Sequence, residues 1–188
     1  MNNVGMIKED LKNMLSDYRY EHSIRVADLA SKLADIYHVD KDKAYISGLL
    51  HDIAKEFSDE ENGYIIDKYN LNNRLDFINN KKLLHGLVGA YYAKEKYEID
   101  DDVMNAIMYH TIGNINMNLL DKIVFVADKI EFGKNYDGIE EERELAFVDI
   151  NKAMILCIEN NIKKLEKEKK VVNGNVRKLL LYLKNNSC

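Results

Sequence analysis

The chain has no proline and no tryptophan among its 188 residues, and asparagine, lysine and isoleucine are abundant. That balance reads as genomic base bias, and no function is drawn from it. Cysteine is nearly as scarce. Cys157 sits in an apolar helical pattern and Cys188 is the last residue, so neither points to a zinc knuckle or a disulfide framework. No apolar run approaches the roughly 20 residues that a bilayer-spanning helix needs; the strongest is Ile123 to Ala127. The N-terminal stretch MNNVGMIKEDLKN has neither an apolar signal core nor a cleavage site, so the expected location is cytoplasmic, with no membrane partner. No basic stripe dominates any segment, and a net charge of −5 argues against nucleic acid as a partner. A local group of Arg and Lys for an anionic small molecule remains compatible with it.

Hydrophobic residues make up 46% and charged residues 31%, as in a globular protein with a real core. Strand alternation is nearly lacking and helical periodicity is everywhere. It predicts helices over 6–15, about 20–37, 41–55, from Ser58 through Tyr69, then 87–97, 101–110, 119–131, about 140–169 and 176–183. Ser58 with Glu61 three residues on is a capping box. Asn72-Asn73, Asn79-Asn80, Gly113-Asn114, Gly133 to Gly138 and Asn173 to Asn175 read as breakers. No repeat or long linker divides the chain. The expectation is one compact all-α domain over 1–188, with core motifs at about 15–150 and C-terminal helices over 140–188 packed on it.

The run YISGLLHDIAKE (45–56) places His51 and Asp52 where the pattern calls for core. Burying an unpaired carboxylate costs several kcal/mol, roughly 3–5 when a buried partner is removed, so the pair needs a partner. Asp128 shows the same oddity, because it ends the apolar run Ile123 to Ala127. On the bland reading Asp128 faces solvent. A divalent cation explains both acids. His22, His51, His85 and His110 lie near predicted helix ends or beside glycine-containing segments, whereas His38 reads as an ordinary loop residue. A lone buried histidine is more often structural than ligating. Two histidines with two aspartates, however, suit Fe, Mn, Zn or Co with positions left open for water.

The order His22, then His51-Asp52, then Asp128 resembles the H…HD…D signature of the HD-domain metal-dependent phosphohydrolases. YRYEHSIRVADLA (18–30), GLLHDIAKE (48–56), HGLVGAYYAKE (85–95), MYHTIGNINMNLLDKIVFVADKIE (108–131) and GIEEERELA (138–146) are similar to the YqeK-type branch, over about residues 15–150. The resemblance implies an α-helical HD fold and symmetrical hydrolysis of diadenosine tetraphosphate to two ADP, with iron or a similar metal. It implies His22, His51, Asp52 and Asp128 as metal ligands, and His85 and His110 in the same pocket on phosphate or a second metal. It places Arg25, Thr111 and Lys134 toward the nucleotide. Members often carry a proline in the loop after the Asp128 helix, where this chain reads IEFGKNYDG (130–138) without one.

The chemistry agrees. A phosphoanhydride is inert because its oxygens repel nucleophiles, and a metal ion supplies both hydroxide at neutral pH and a Lewis acid. His51 and Asp52 are the expected catalytic centre, with His110 as proton donor to the leaving ADP and Lys55 neutralising a phosphate. Lys55 reads equally well as an exposed helix end. Arg25 is the expected phosphate clamp. Tyr18, Tyr20, Tyr91 and Tyr92 offer stacking faces for adenine, although helical tyrosines more often belong to the core. Ile150, Met154, Ile155, Ile158 and Ile162 either close the core or form a homodimer surface. Two alternatives stand beside the leading one: hydrolysis of another nucleotide, and an HD module that binds a nucleotide without turning it over.

Overall fold

Short polar side chains at helix starts set most of the element boundaries. Ser58 and Glu61 form the expected capping box, each accepting the other's backbone N–H, and a helix opens at Asp59. Asn118 and Asp121 do the same ahead of Leu119. Asp40, Asn80, Asp100 and Asp149 each accept a backbone N–H from the turn that follows. The computed structural model describes residues 4–78 and 80–186, with backbone alone at Asp76 and Lys81; Asn79 and Cys188 lie outside the described residues.

The helices are α1 (Val4–Met14), α2 (Asp17–Ile36), α3 (Lys41–Leu50), α4 (Asp59–Lys68), α5 (Leu75–Ile78), α6 (Lys81–Tyr97), α7 (Asp101–Tyr109), α8 (Leu119–Ile130), α9 (Ile139–Ala146), α10 (Ile150–Lys167) and α11 (Gly174–Asn186). A 3-10 turn covers Leu71–Asn73. Among the described residues there is no strand, and the fold is all-α as expected. No helix there is long and apolar enough to cross a membrane.

Packing brings α2 against α3 and α8, and α7 against α3, α6 and α8, while α10 covers α8 and α9. One apolar cluster includes Ile7, Leu49, Leu87 and Ile107; a second includes Leu29, Val124 and Met154. Two glycines let helix backbones approach closely. A Cβ on Gly48 would stand 2.6 Å from Ala27 Cα, so α3 and α2 touch backbone to backbone. A Cβ on Gly86 would stand 2.9 Å from the Met108 carbonyl oxygen, so α6 and α7 do likewise. These contacts lie beside His51 and His85 respectively.

Several boundaries differ from the sequence reading. The helix expected over 41–55 ends at Leu50. Residues 51–56 continue as turns, with Ile53 N–H donating to Leu50 O at 3.1 Å and Lys55 N–H to Asp52 O at 2.9 Å. Lys55 therefore aligns with Asp52 rather than with His51. α6 starts six residues earlier than Leu87, because Asn80 caps a helix instead of breaking one, and His85 lies inside that helix. The long helix expected over 140–169 is two, since Asp149 turns its side chain onto the N–H groups of Asn151 and Lys152 and starts α10 afresh. Ile150, Met154, Ile158 and Ile162 are buried and Ile155 is partly buried, which favours the core reading for these residues.

Tyr91 packs on Tyr69 with ring centroids 4.9 Å apart, and Tyr92 stands edge-on to Phe57 at 5.1 Å. Both, with Tyr20, pack against the first cluster, which favours the core reading for them. Tyr18 is exposed.

Candidate metal centre

The centre is built from helix interiors and helix ends. His22 comes from the second turn of α2 and Asp128 from the last turn of α8. His51 and His110 are the C-terminal caps of α3 and α7. His85 is in α6. His22, His51, Asp52, His85 and His110 are all buried, with His51 at 0% exposure. Leu49, Leu50 and Ile53 around the His51-Asp52 pair are fully buried too, each contributing about 1.5–3 kcal/mol, which helps offset the cost of the charge.

Two clusters share Asp52. In the first, His22 Nε2 is 3.2 Å from His51 Nε2 and 3.2 Å from Asp128 Oδ1. His51 Nε2 is 3.7 Å from Asp128 Oδ1 and 3.8 Å from Asp52 Oδ2. In the second, His85 Nε2 is 3.1 Å from His110 Nε2 and 3.0 Å from Asp52 Oδ1, with His110 Nε2 3.6 Å from that oxygen. Two ligands each about 2.0–2.2 Å from one ion stand roughly 3.0–3.5 Å apart, so both clusters have spacings suited to a metal.

Tautomers decide what faces inward. His51 Nδ1 lies 2.7 Å from the Gly48 carbonyl oxygen, which can only accept, so Nδ1 carries the proton and Nε2 the lone pair. His110 Nδ1 donates in the same way to Ile107 O at 2.7 Å. His22 Nδ1 donates to Glu131 Oε1 at 3.2 Å. The first cluster thus points two ring lone pairs and a carboxylate oxygen of Asp128 at one another. Such convergence is relieved by positive charge at the centre, either a second proton on His22 or a cation. The donor set of neutral imidazoles and carboxylates fits a divalent metal ion, and the Nδ1–H contacts are those that orient metal-bound histidines.

Protonation follows the same geometry. Burial opposes charge on His22, but hydrogen bonds to Asp128 and Glu131 outweigh it and hold the ring above its ordinary value. Burial drives His51 down to about 3 and His85 down to about 4. Burial alone would raise Asp52, yet His51, His110 and His85 hold it well below the usual carboxylate range. Lys129 and Lys134 do the same for Asp128 against burial.

The structure brings all ten expected site residues to one region. Lys55 Nζ is 3.0 Å from His85 Nε2 and 3.4 Å from Asp52 Oδ1. Thr111 Oγ1 is 2.9 Å from His110 Nε2. Lys134 Nζ bonds the Asp128 carbonyl oxygen and lies 3.4 Å from its Oδ1. Arg25 turns its Nε to Glu131 Oε2 at 2.6 Å, so its fork is partly engaged inside the protein.

Sequence reasoning missed three neighbours. Glu131 is 1% exposed, three residues after Asp128, and links His22 to Arg25. Burial would raise its pKa, but His22 and Arg25 hold it at about 2. Arg19 Nη1 lies 3.1 Å from Asp52 Oδ2, and Lys129 Nζ lies 2.5 Å from Asp128 Oδ2. A second acid one helical turn beyond Asp128 was the available signal for Glu131.

Residues 19–133 match the family model described as HD domain. Over 161 residues the chain is 38% identical to the symmetrical bis(5′-nucleosyl)-tetraphosphatase of Halalkalibacterium halodurans, covering 85% of this chain and 86% of that protein. It is 37% identical over 163 residues to that of Bacillus subtilis, covering 86% and 87%. A crystal structure from Clostridium acetobutylicum, described as a predicted HD superfamily hydrolase involved in NAD metabolism, matches with a TM-score of 0.91 and 39% identity over 98% of both chains. A model matched over more than half the chain, and relatives this similar over most of their length, place the chain in the HD-domain family, on the branch of the symmetrical bis(5′-nucleosyl)-tetraphosphatases.

Proposed function

We propose that the protein is a metal-dependent phosphohydrolase that cleaves dinucleoside tetraphosphates, above all diadenosine tetraphosphate, at the middle anhydride to give two nucleoside diphosphates. The observation that carries this reading is the buried convergence of His22, His51 and Asp128 lone pairs beside Asp52. Its support is the likeness to two enzymes named for that activity.

In this reading His22, His51, Asp52 and Asp128 hold one divalent ion, with iron as the first choice and Mn, Co or Zn as ions the same N and O donors accept. When bound, the ion acidifies water for attack at neutral pH and draws charge from the phosphoryl oxygens. The chain's own residues do the rest. Lys129 and Lys134, held on Asp128, also line a cavity of about 660 Å³ with Tyr18, Asn160, Lys164 and Lys167. Four lysines among the lining residues suit a polyphosphate chain, and the volume falls in the roughly 300–1,000 Å³ range of small-molecule sites. Tyr18, exposed at that cavity, keeps its role as a stacking face.

His85, His110 and Thr111 face the other side of Asp52 and meet the reacting phosphates. A neutral His110 carries its proton on Nδ1, so donation to the leaving diphosphate from Nε2 requires the doubly protonated ring. The Thr111 hydroxyl lies 2.9 Å from His110 Nε2, and Lys55 Nζ lies 3.0 Å from His85 Nε2. Arg25 acts by positioning Glu131, and through it His22, rather than by clamping phosphate with its whole fork. Nucleotide substrates of this class belong to the cytoplasm.

The test is product analysis. Incubated with diadenosine tetraphosphate and Mn2+ or Fe2+, the protein should yield ADP alone. ATP with AMP would reassign the cleaved bond, and no turnover with any metal would favour a binding module. NAD, a dinucleotide suggested by the description of the solved relative, is the second substrate to try, because it has the same kind of anhydride.

A further inference from the structure

We propose that Arg143 is a positioning residue for the reaction: its guanidinium fixes the turn at 131–134, which holds Glu131 on His22 and Lys134 on Asp128. This deepens the functional reading, on which the roles of those two side chains rest.

A helix leaves its last four carbonyls without partners inside the helix, and the segment after α8 has little of its own to fix it. IEFGKNYDG (130–138) contains two glycines and no proline to preset a backbone angle. Arg143, from the middle of α9, supplies the restraint. Its side chain is only 13% exposed. Nε donates to Ile130 O at 2.9 Å, and Nη2 donates to both Glu131 O and Lys134 O at 2.9 Å. One planar group thus ties the end of α8 to both ends of the turn. Glu140 Oε1 holds Nη1 at 2.5 Å, and the guanidinium lies over the Phe132 ring, 5.2 Å from its centroid. The adjacent Glu142 accepts from the Tyr136 hydroxyl, so both charged residues at the centre of GIEEERELA (138–146) grip this loop.

The turn sets three side chains at the centre. The Glu131 carbonyl accepts Lys134 N–H at 3.0 Å, and its Oε2 accepts Gly133 N–H at 2.6 Å. The same carboxylate meets His22 Nδ1 and Arg25 Nε. Lys134 reaches Asp128 from the far end of the turn. A Cβ on Gly133 would stand 2.4 Å from Arg25 Nε, so Arg25 lies directly on the turn's backbone. A shift of the turn moves Glu131, Lys134 and Arg25 together, and Arg143 acts on the centre through them. A lysine would keep the charge, but one ammonium lacks the flat fork that meets three carbonyls.

Arg143→Lys tests this through amide hydrogen exchange, Mn2+ affinity and kcat/KM for diadenosine tetraphosphate. Gly133 and Lys134 N–H should exchange about tenfold faster, while N–H groups in the middle of α8 keep their wild-type rates. Mn2+ affinity should fall about 10–100-fold, as when a group that orients a ligand is lost. At saturating Mn2+, kcat/KM should fall as well, because Lys134 leaves its place. Unchanged exchange would overturn the proposal, and so would faster exchange with Mn2+ affinity and kcat/KM both at wild-type values. Exchange rising equally throughout α8 would mean that Arg143 only stabilises the fold, which also overturns it. If Arg143→Lys does not fold, wild type decides: Gly133 and Lys134 N–H must be protected, and free exchange at either sinks the idea. Exchange and Mn2+ binding need no substrate. A wild type that binds Mn2+ without turnover would sink the functional reading and leave this one to be judged on metal affinity, whereas a wild type that binds no Mn2+ would remove both.

Discussion

The two histidine clusters on either side of Asp52 have nearly equal spacing and different neighbours. Around His22 and His51 the inward atoms are acceptors, and the supporting groups, Glu131 and the Gly48 carbonyl, keep them so. Around His85 and His110, Thr111 Oγ1 lies 2.9 Å from His110 Nε2, and Lys55 Nζ stands beside the His85 ring, 3.0 Å from Nε2 and 3.4 Å from Nδ1. Distances between candidate ligands therefore say where an ion fits, and hydrogen-bond polarity says where one is needed. His22, His51 and Asp52 form one tight group and Asp52, His85 and His110 the other. Their neighbours separate them, since Lys55 and Thr111 stand beside the second cluster.

The comparison is most easily broken by removing one ligand from each side. His51→Ala should lose the ion and reduce kcat to background, while His85→Ala should keep one ion per chain and lose activity in part; elemental analysis beside steady-state kinetics reads both. Equal metal loss in the two variants would erase the distinction. Gly48→Ala comes next, because its new methyl would press on the α2 backbone at 2.6 Å. It should destabilise the protein by about 1–3 kcal/mol, as overpacking does, and weaken metal binding by parting His22 from His51. Thermal unfolding with and without Mn2+ would show both effects.

Smaller effects sharpen the first cluster. Glu131→Gln can present its amide to His22 Nδ1 in place of an acceptor, which would free the ring's tautomer. The expected loss in metal affinity is about 10–100-fold, the usual range for such supporting groups. Arg25→Ala should follow Glu131→Gln in direction with a smaller size.

The pH dependence has a definite sign. His22 is held above its ordinary value in the metal-free fold, so its proton stabilises that fold below about pH 6.5, and the contribution fades as pH rises through the raised value. Metal competes with this proton, so affinity should fall about tenfold per pH unit below the His22 pKa and level off above it. His51, held down to about 3, stays neutral throughout, so the slope between pH 5 and 8 should be that of one proton. A slope of two would mean that a second ring titrates, and Mn2+ titrations across that range would show it.

Much of the site was legible in the sequence because burial makes charge conspicuous. His51, Asp52 and Asp128 interrupt the most apolar segments of the chain, and the structure brings them together with His22 as expected. Glu131 escaped notice because it ends its helix, where an acid is usually just exposed. Arg19 sat in a cluster already noticed for its tyrosines. Lys55 was ambiguous because a helix through residue 55 would have set it one turn after His51; the i to i+3 turns after Leu50 aim it at Asp52 instead.

The fold's helices were legible in kind and less so in extent. An asparagine that caps a helix looks the same in sequence as one that breaks it, which is why the first turns of α6 were missed. The break between α9 and α10 hides because the apolar period runs on through Ile150 and Met154, and only the side chain of Asp149 shows a new start.

The central claim is that four scattered side chains share one ion. Crystals grown with Mn2+ or Fe2+ and measured at the metal's absorption edge would test it most directly. The account predicts one strong anomalous peak about 2.0–2.3 Å from His22 Nε2, His51 Nε2 and oxygens of Asp52 and Asp128. A peak among Asp52, His85 and His110 alone, or none at the centre, would contradict it.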